Sequence, residues 1–225
     1  MYGVRIFRGA GMRSIKAKIA ISFAAVFGFV VISYFFFDVP IALLCRGLDK
    51  GITDFFGIIT EFGISTWYLV GSFGLFLIFS FVHRKKVYAS RALFLFASIA
   101  VSGIIANIIK VILGRYRPEM LFEKGLYGLN LLHFSFDNFS YEFTSFPSGH
   151  TATTFSLAWT LSLFFPRARI LLICFAFFVG ASRVIITSHY LSDAVGGAYV
   201  GVICVLLLKE ILCSSEQKFS CGLNK

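Results

Sequence analysis

Apolar residues fall into six long runs along the chain, covering roughly 17–37, 66–82, 92–113, 148–165, 168–187 and 190–209. A helix that crosses a bilayer needs about 20 mostly apolar residues. The pattern therefore predicts an all-α membrane protein, a bundle of six transmembrane helices. Between the first two runs, in 38–65, Leu44, Leu48, Ile52, Phe55, Phe56, Ile59 and Phe62 recur at helical spacing. Arg46, Asp49, Lys50 and Asp54 lie between them. This predicts an amphipathic helix lying in the membrane interface, with a plain connecting loop as the alternative. The longest connection, 114–147, carries Phe122, Tyr127, Phe134, Phe136, Phe139, Tyr141, Phe143 and Phe146. Aromatic residues at this density suit a loop resting on the headgroup region. Nothing repeats internally, so 1–225 reads as a single domain. It has a basic segment at 1–16 and a tail at 210–225.

Composition agrees with the runs. Of 225 residues, 58 % are hydrophobic and only 14 % charged, whereas soluble domains are about a quarter charged. A net charge of +10 would suggest nucleic acid on a soluble protein. Here the Lys and Arg sit mostly between apolar runs, so membrane topology explains them and no nucleic-acid partner is expected. Cys45, Cys174, Cys204, Cys213 and Cys221 show no paired spacing, which predicts neither a disulfide framework nor a metal site. The first run follows basic residues but is too long for the apolar region of a signal peptide, and reads as an uncleaved anchor.

Basic residues also give an orientation. Arg5, Arg8, Arg13, Lys16 and Lys18 precede the first run; Arg84, Lys85, Lys86 and Arg91 separate the second and third. Arg167 and Arg169 separate the fourth and fifth, and Lys209, Lys218 and Lys225 end the chain. The positive-inside rule makes all of these cytoplasmic, both termini included.

Ionisable residues inside apolar runs are costly and mark function by default. Lys110 and Arg183 lie inside runs, His150 begins the fourth, and His189 and Asp193 bracket the start of the sixth. Under the predicted topology these, with Arg117 and Pro147-Ser148-Gly149, meet at the outer face. Lys110, Arg117 and Arg183 can surround a dianionic phosphate, the arginines through paired hydrogen bonds. Ser148 and Gly149 offer backbone N–H groups at a helix start, a natural anion site. His189 and Asp193, four apart, share a helix face, so the carboxylate can fix the imidazole tautomer and sharpen a nucleophile. His150 can protonate a leaving alkoxide. These features together point to phosphoryl transfer. Arg115 and Lys124 read as ordinary solvated charges, with contact to extra anionic groups as the alternative, and His83 and His133 receive no role.

Three segments match known motifs. Lys110 to Pro118 fits KxxxxxxRP, Pro147 to His150 fits PSGH, and Ser182 to Asp193 fits SRxxxxxHxxxD. In these motifs the chain resembles the type 2 phosphatidic acid phosphatases, which share them with the vanadium haloperoxidases. The resemblance covers about 105–200 closely. It implies that His189 attacks phosphorus to form a phosphohistidine, that Asp193 orients it, and that His150 serves as acid and then base. It implies that Lys110, Arg117, Ser148, Gly149 and Arg183 bind phosphate, with no metal or other cofactor. The haloperoxidase branch is soluble, so the apolar runs favour the lipid phosphatase branch in a bacterial inner membrane. The expected partner is a phosphorylated membrane lipid: phosphatidic acid, phosphatidylglycerophosphate, undecaprenyl pyrophosphate or lipid A. A transporter or binder of anionic lipid is the alternative, but it needs the inverted repeats and broken helices that this sequence lacks.

Overall fold

The computed structural model describes residues 4–130 and 140–214, with side chains over 17–130 and 140–212. Among the described residues the architecture is all helical. The helices are α1 (Val4–Phe36), α2 (Asp38–Arg46), α3 (Lys50–Glu61), α4 (Ser65–Leu77), α5 (Lys86–Leu113), α6 (Pro118–Lys124), α7 (Gly149–Phe164), α8 (Arg169–Ile185) and α9 (Leu191–Ser214).

Among the described residues, five stretches are long and apolar enough to cross a membrane: Ala17–Phe36, Lys50–Val82, Lys86–Leu113, Pro166–Ile185 and Leu191–Leu212. They carry large apolar side chains on the outside, such as Phe35, Trp67, Phe81, Ile170 and Leu171. An outward apolar surface of this kind suits lipid as the solvent. The sequence predicts a sixth span over 148–165. Its counterpart, α7, is a 16-residue helix, about 24 Å long at 1.5 Å per residue. It lies at the centre, packed against α5, α8 and α9.

Hydroxyl groups suit α7 to that position. Thr151, Thr153, Thr154, Ser156, Thr160 and Ser162 are buried. Thr154 Oγ1 donates to the His150 carbonyl at 3.0 Å and Ser162 Oγ to the Trp159 carbonyl at 2.7 Å, which satisfies polar groups within the helix itself. α9 approaches α7 closely because Gly197 and Gly201 face it. A Cβ at either position would run into the carbonyl oxygen of Ser148 or Ala152, the small-residue device of membrane helix pairs.

Elsewhere the structure refines the expectation. Segment 38–65 is two helices, broken at Gly47-Leu48, with Asp49 capping α3 through the Gly51 N–H at 2.7 Å. The long connection contains α6, a 3₁₀ turn at Tyr141–Phe143 and an isolated bridge between Arg115 and Leu129. Phe134, Phe136, Phe139 and His133 lie outside the described residues.

Candidate active site

α5 and α8 end, and α7 and α9 begin, at the same end of the bundle. That alternation brings the motif residues together from distant parts of the chain. Lys110 is in the last turn of α5 and Arg183 in the last turn of α8. Helix C-termini favour cations. Arg117 precedes α6, Ser148 caps α7, and Gly149 and His150 follow it. His189 lies between α8 and α9, and Asp193 is in the first turn of α9.

Their mutual contacts define one cluster. Lys110 is subject to the charges of Arg117, Asp193 and Arg183. Its Nζ lies 3.7 Å from where a Cβ on Gly149 would sit. His150 lies within the electrostatic reach of Arg183, Lys110 and Arg117, and His189 within that of Arg117, Asp193 and Arg183. The Ser148 N–H donates to the Asp193 carbonyl at 3.0 Å, joining the starts of α7 and α9. That bond commits the Ser148 amide, so the N–H groups that α7 can turn toward an anion are those of Gly149 and His150.

The chain turns sharply before His189. Thr187 adopts φ = +54°, a conformation that β-branched residues rarely adopt and that marks stored strain. The Ser188 and His189 N–H groups both donate to the Arg183 carbonyl, at 3.0 and 3.1 Å. This fastens the turn and aims the imidazole back into the cluster. His189 is 2 % exposed. Burial lowers its pKa, and Arg117 and Arg183 lower it further against the opposing Asp193, to about 3. The ring is therefore neutral at pH 7, as a nucleophile must be. Nδ1 lies 3.5 Å from Asp193 Oδ2. This contact is longer than an ordinary hydrogen bond.

The cations differ in how they are held. Arg117 donates from Nε to the Tyr141 carbonyl at 2.7 Å, from Nη1 to the Ser188 carbonyl at 3.0 Å and from Nη2 to the Thr144 carbonyl at 3.3 Å. It also stacks over the Tyr141 ring at 3.7 Å. Three of its five donors are thus spent on orientation, leaving two for a ligand. Arg183, 8 % exposed, donates from Nη1 to Thr60 Oγ1 at 2.8 Å, while its buried Nε has no hydrogen-bond partner. A cleft of about 350 Å³ opens beside Arg117, lined also by Arg46, Tyr141, Thr187 and Ser188.

Gly63, in the turn before α4, packs directly on His150. A Cβ there would lie 2.5 Å from the imidazole Cδ2 and 2.7 Å from the His150 Cβ. Sequence reasoning did not find Gly63, Thr60, Asp38, Ser145 or Ser192. It also assigned Arg115 to solvent, and that expectation is wrong. Arg115 is 1 % exposed because two carboxylates hold it, Asp38 Oδ2 at 2.6 Å and Asp193 Oδ1 at 2.5 Å. Lys124 is exposed as expected, and so is His83.

Comparison with known proteins agrees with the motifs. Residues 91–213 match the model of the PAP2 superfamily. The chain is 32 % identical over 184 residues to a lipid A 1-phosphatase of Rhizobium etli, covering 76 % of this chain and 75 % of the relative. It is equally identical over 187 residues to a lipid A 1-phosphatase of Rhizobium johnstonii, covering 76 % and 72 %. Among solved structures it resembles Aquifex aeolicus LpxE, with TM-score 0.54 and 25 % identity over 76 % of this chain and 94 % of that one. It shares its fold with the PAP2 type phosphatidylglycerolphosphate phosphatase of Bacillus subtilis, with TM-score 0.60 and 20 % identity over 87 % and 98 %.

Proposed function

The chain belongs to the PAP2 superfamily, and from that premise we propose that it is an integral membrane lipid phosphatase working through a phosphohistidine. The carrying observation is the assembly of Lys110, Arg117, Arg183, His150 and His189 around the start of α7. Among the described residues none of these three cations is in an ion pair with a carboxylate.

In this reading phosphate rests on the N–H groups of Gly149 and His150, with Ser148 beside them. Lys110, Arg117 and Arg183 clamp its oxygens and stabilise the charge that grows in the transition state. Neutral His189 attacks phosphorus, the N–P bond forming as the ester P–O bond breaks. The bound dianion offsets the charges of Arg183, Lys110 and Arg117 around His150, so that this imidazole takes up a proton from solvent and gives it to the departing oxygen. It then takes a proton from water, which attacks the phosphohistidine and frees phosphate and His189. Asp193 orients His189 and stabilises its positive charge, and no metal takes part.

Six spans, with α7 as the central one, put both termini in the cytoplasm and the site at the outer face of a bacterial inner membrane. α2 and α3 then lie at that outer interface. An apolar groove of about 630 Å³ between α1, α5 and α9 ends at Arg115 and Phe146 beside the site, and suits acyl chains. The relatives favour the 1-phosphate of lipid A as substrate over phosphatidic acid, phosphatidylglycerophosphate and undecaprenyl pyrophosphate. Phosphate release by purified protein from each of these four lipids, in excess EDTA, tests the reading. Release from 1-phosphorylated lipid A ahead of the others is expected. No release from any of them would overturn the function, and a strict metal requirement would overturn the mechanism.

A further inference from the structure

Asp38 opens α2 and is 1 % exposed, although no motif accounts for an acid there. A buried acid is unfavourable unless it is paired and fully hydrogen-bonded, and Asp38 is both. Oδ2 accepts from Arg115 Nη2 at 2.6 Å and from Ser192 Oγ. Oδ1 accepts from Ser33 Oγ at 2.8 Å and the Ser192 N–H at 3.0 Å. Arg115 carries the connection onward, donating from Nη1 to Asp193 Oδ1 at 2.5 Å and Ser192 Oγ at 2.6 Å. The other oxygen of Asp193 accepts from Ser145 Oγ at 2.6 Å and the Tyr190 N–H at 2.8 Å, and faces His189. One guanidinium thus bridges two carboxylates, and only one of them meets the imidazole.

The charge count gives that arrangement a consequence. Paired with Arg115 alone, Asp193 would be neutralised and would do little for an imidazole gaining positive charge. Because Asp38 shares the guanidinium, the trio keeps one net negative charge, and Asp193 presents it to His189. We infer that Asp38 is a positioning residue for His189, acting through Arg115 to hold Asp193 in place and keep its charge available. The inference rests on the phosphatase reading with His189 as nucleophile. Asp38 touches none of the cations assigned to phosphate, so it governs the chemical step and not substrate binding.

The test is a double-mutant cycle on the purified full-length protein, with phosphatidic acid and 1-phosphorylated lipid A as probes. Asp38→Asn keeps the shape and removes the charge. The expected result is a fall in kcat of about 10- to 100-fold, the scale on which partners of an active-site group usually act. KM should stay within about twofold, since an interaction made only in the transition state leaves binding alone. On an Arg115→Gln background, Asp38→Asn should cost nothing further, because the path from Asp38 to Asp193 is already cut. Where Asp38→Asn does not fold, Arg115→Lys decides: its ammonium keeps the charge but lacks the fork that spans two carboxylates, and kcat should fall with KM kept. The inference is overturned by an unchanged kcat, by an equal loss on both backgrounds, or by kcat and KM changing together with the melting temperature. Wild-type protein and His189→Ala run in the same assay. Absent wild-type turnover would defeat the phosphatase reading itself, whereas wild-type turnover with full activity in Asp38→Asn would defeat this inference alone.

Discussion

Arg115 and Arg117 stand two residues apart, are both buried, and are unequally compensated for that burial. Burial alone would lower the pKa of Arg115, but Asp193 and Asp38 outweigh it and raise the value. Burial lowers the pKa of Arg117, and its surroundings do not make up the difference. Its donors go to carbonyl oxygens, which orient a guanidinium without neutralising it. The compensated arginine joins three segments of chain into one scaffold. The less compensated one, with Lys110 and Arg183, forms no ion pair among the described residues, which is what supports the proposed anion-binding role. A buried charge therefore has to be judged by its partners before it is assigned to structure or to function.

The sharpest way to break this comparison is to remove each arginine in turn. Arg117→Ala and Arg183→Ala should each lower kcat/KM by about 10²- to 10³-fold, the usual cost of losing one transition-state donor. Vanadate inhibition should weaken in parallel while the melting temperature holds. Arg117→Lys should recover little, since a single ammonium does not reproduce the fork. Arg115→Ala should differ, lowering kcat with KM kept and adding a clear drop in melting temperature as two buried acids lose their partner. Equal behaviour of Arg115 and Arg117 variants in both measurements would dissolve the distinction.

A smaller effect is expected at the acid–base side of the site. Gly63→Ala places a methyl group against His150 and should displace the ring. The expected loss in kcat is up to about 10²-fold, the cost of misplacing a catalytic group by about 1 Å. Steady-state kinetics of this one variant checks it, and unchanged kcat would show that His150 has room to move.

The mildest effect is on stability against pH. The folded protein holds His189 neutral to about pH 3, while the unfolded chain protonates it near its ordinary value of about 6.5. Between those values the unfolded state binds the extra proton, so stability present above pH 6.5 is lost as pH falls toward 3. The wild-type melting temperature should therefore drop more between pH 7.5 and pH 5 than that of His189→Asn. Identical drops would mean the imidazole is not held neutral by the fold.

Much of the site was legible because its chemistry is local in sequence. Lys110, Arg117, Ser148, Gly149, His150, Arg183, His189 and Asp193 stand out as charges and turns in apolar surroundings, and the structure brings all eight to one end of the bundle. The supporting residues were not legible because their reasons lie far along the chain. Arg115 looks like any loop arginine until Asp38, 77 positions away, is placed beside it. Gly63 has no signal of its own, since its requirement comes from a histidine in another helix. The helical class and five membrane-length stretches follow from hydropathy, which reads runs of apolar residues well. α7 shows the limit of that reading: its run is apolar, yet its buried hydroxyls and its contacts make it an inner helix. The break at Gly47-Leu48 within 38–65 was likewise hidden, because helical spacing of the apolar residues continues across it.

In the proposed mechanism His189 takes the phosphoryl group while Lys110, Arg117 and Arg183 hold it. The most direct measurement is a single turnover with phosphate-labelled lipid, quenched in alkali to preserve a phosphoramidate, followed by peptide mapping of the labelled protein. The expected product is an alkali-stable, acid-labile phosphate on His189, absent in His189→Ala. Label on another residue, or turnover surviving in His189→Ala, would contradict it.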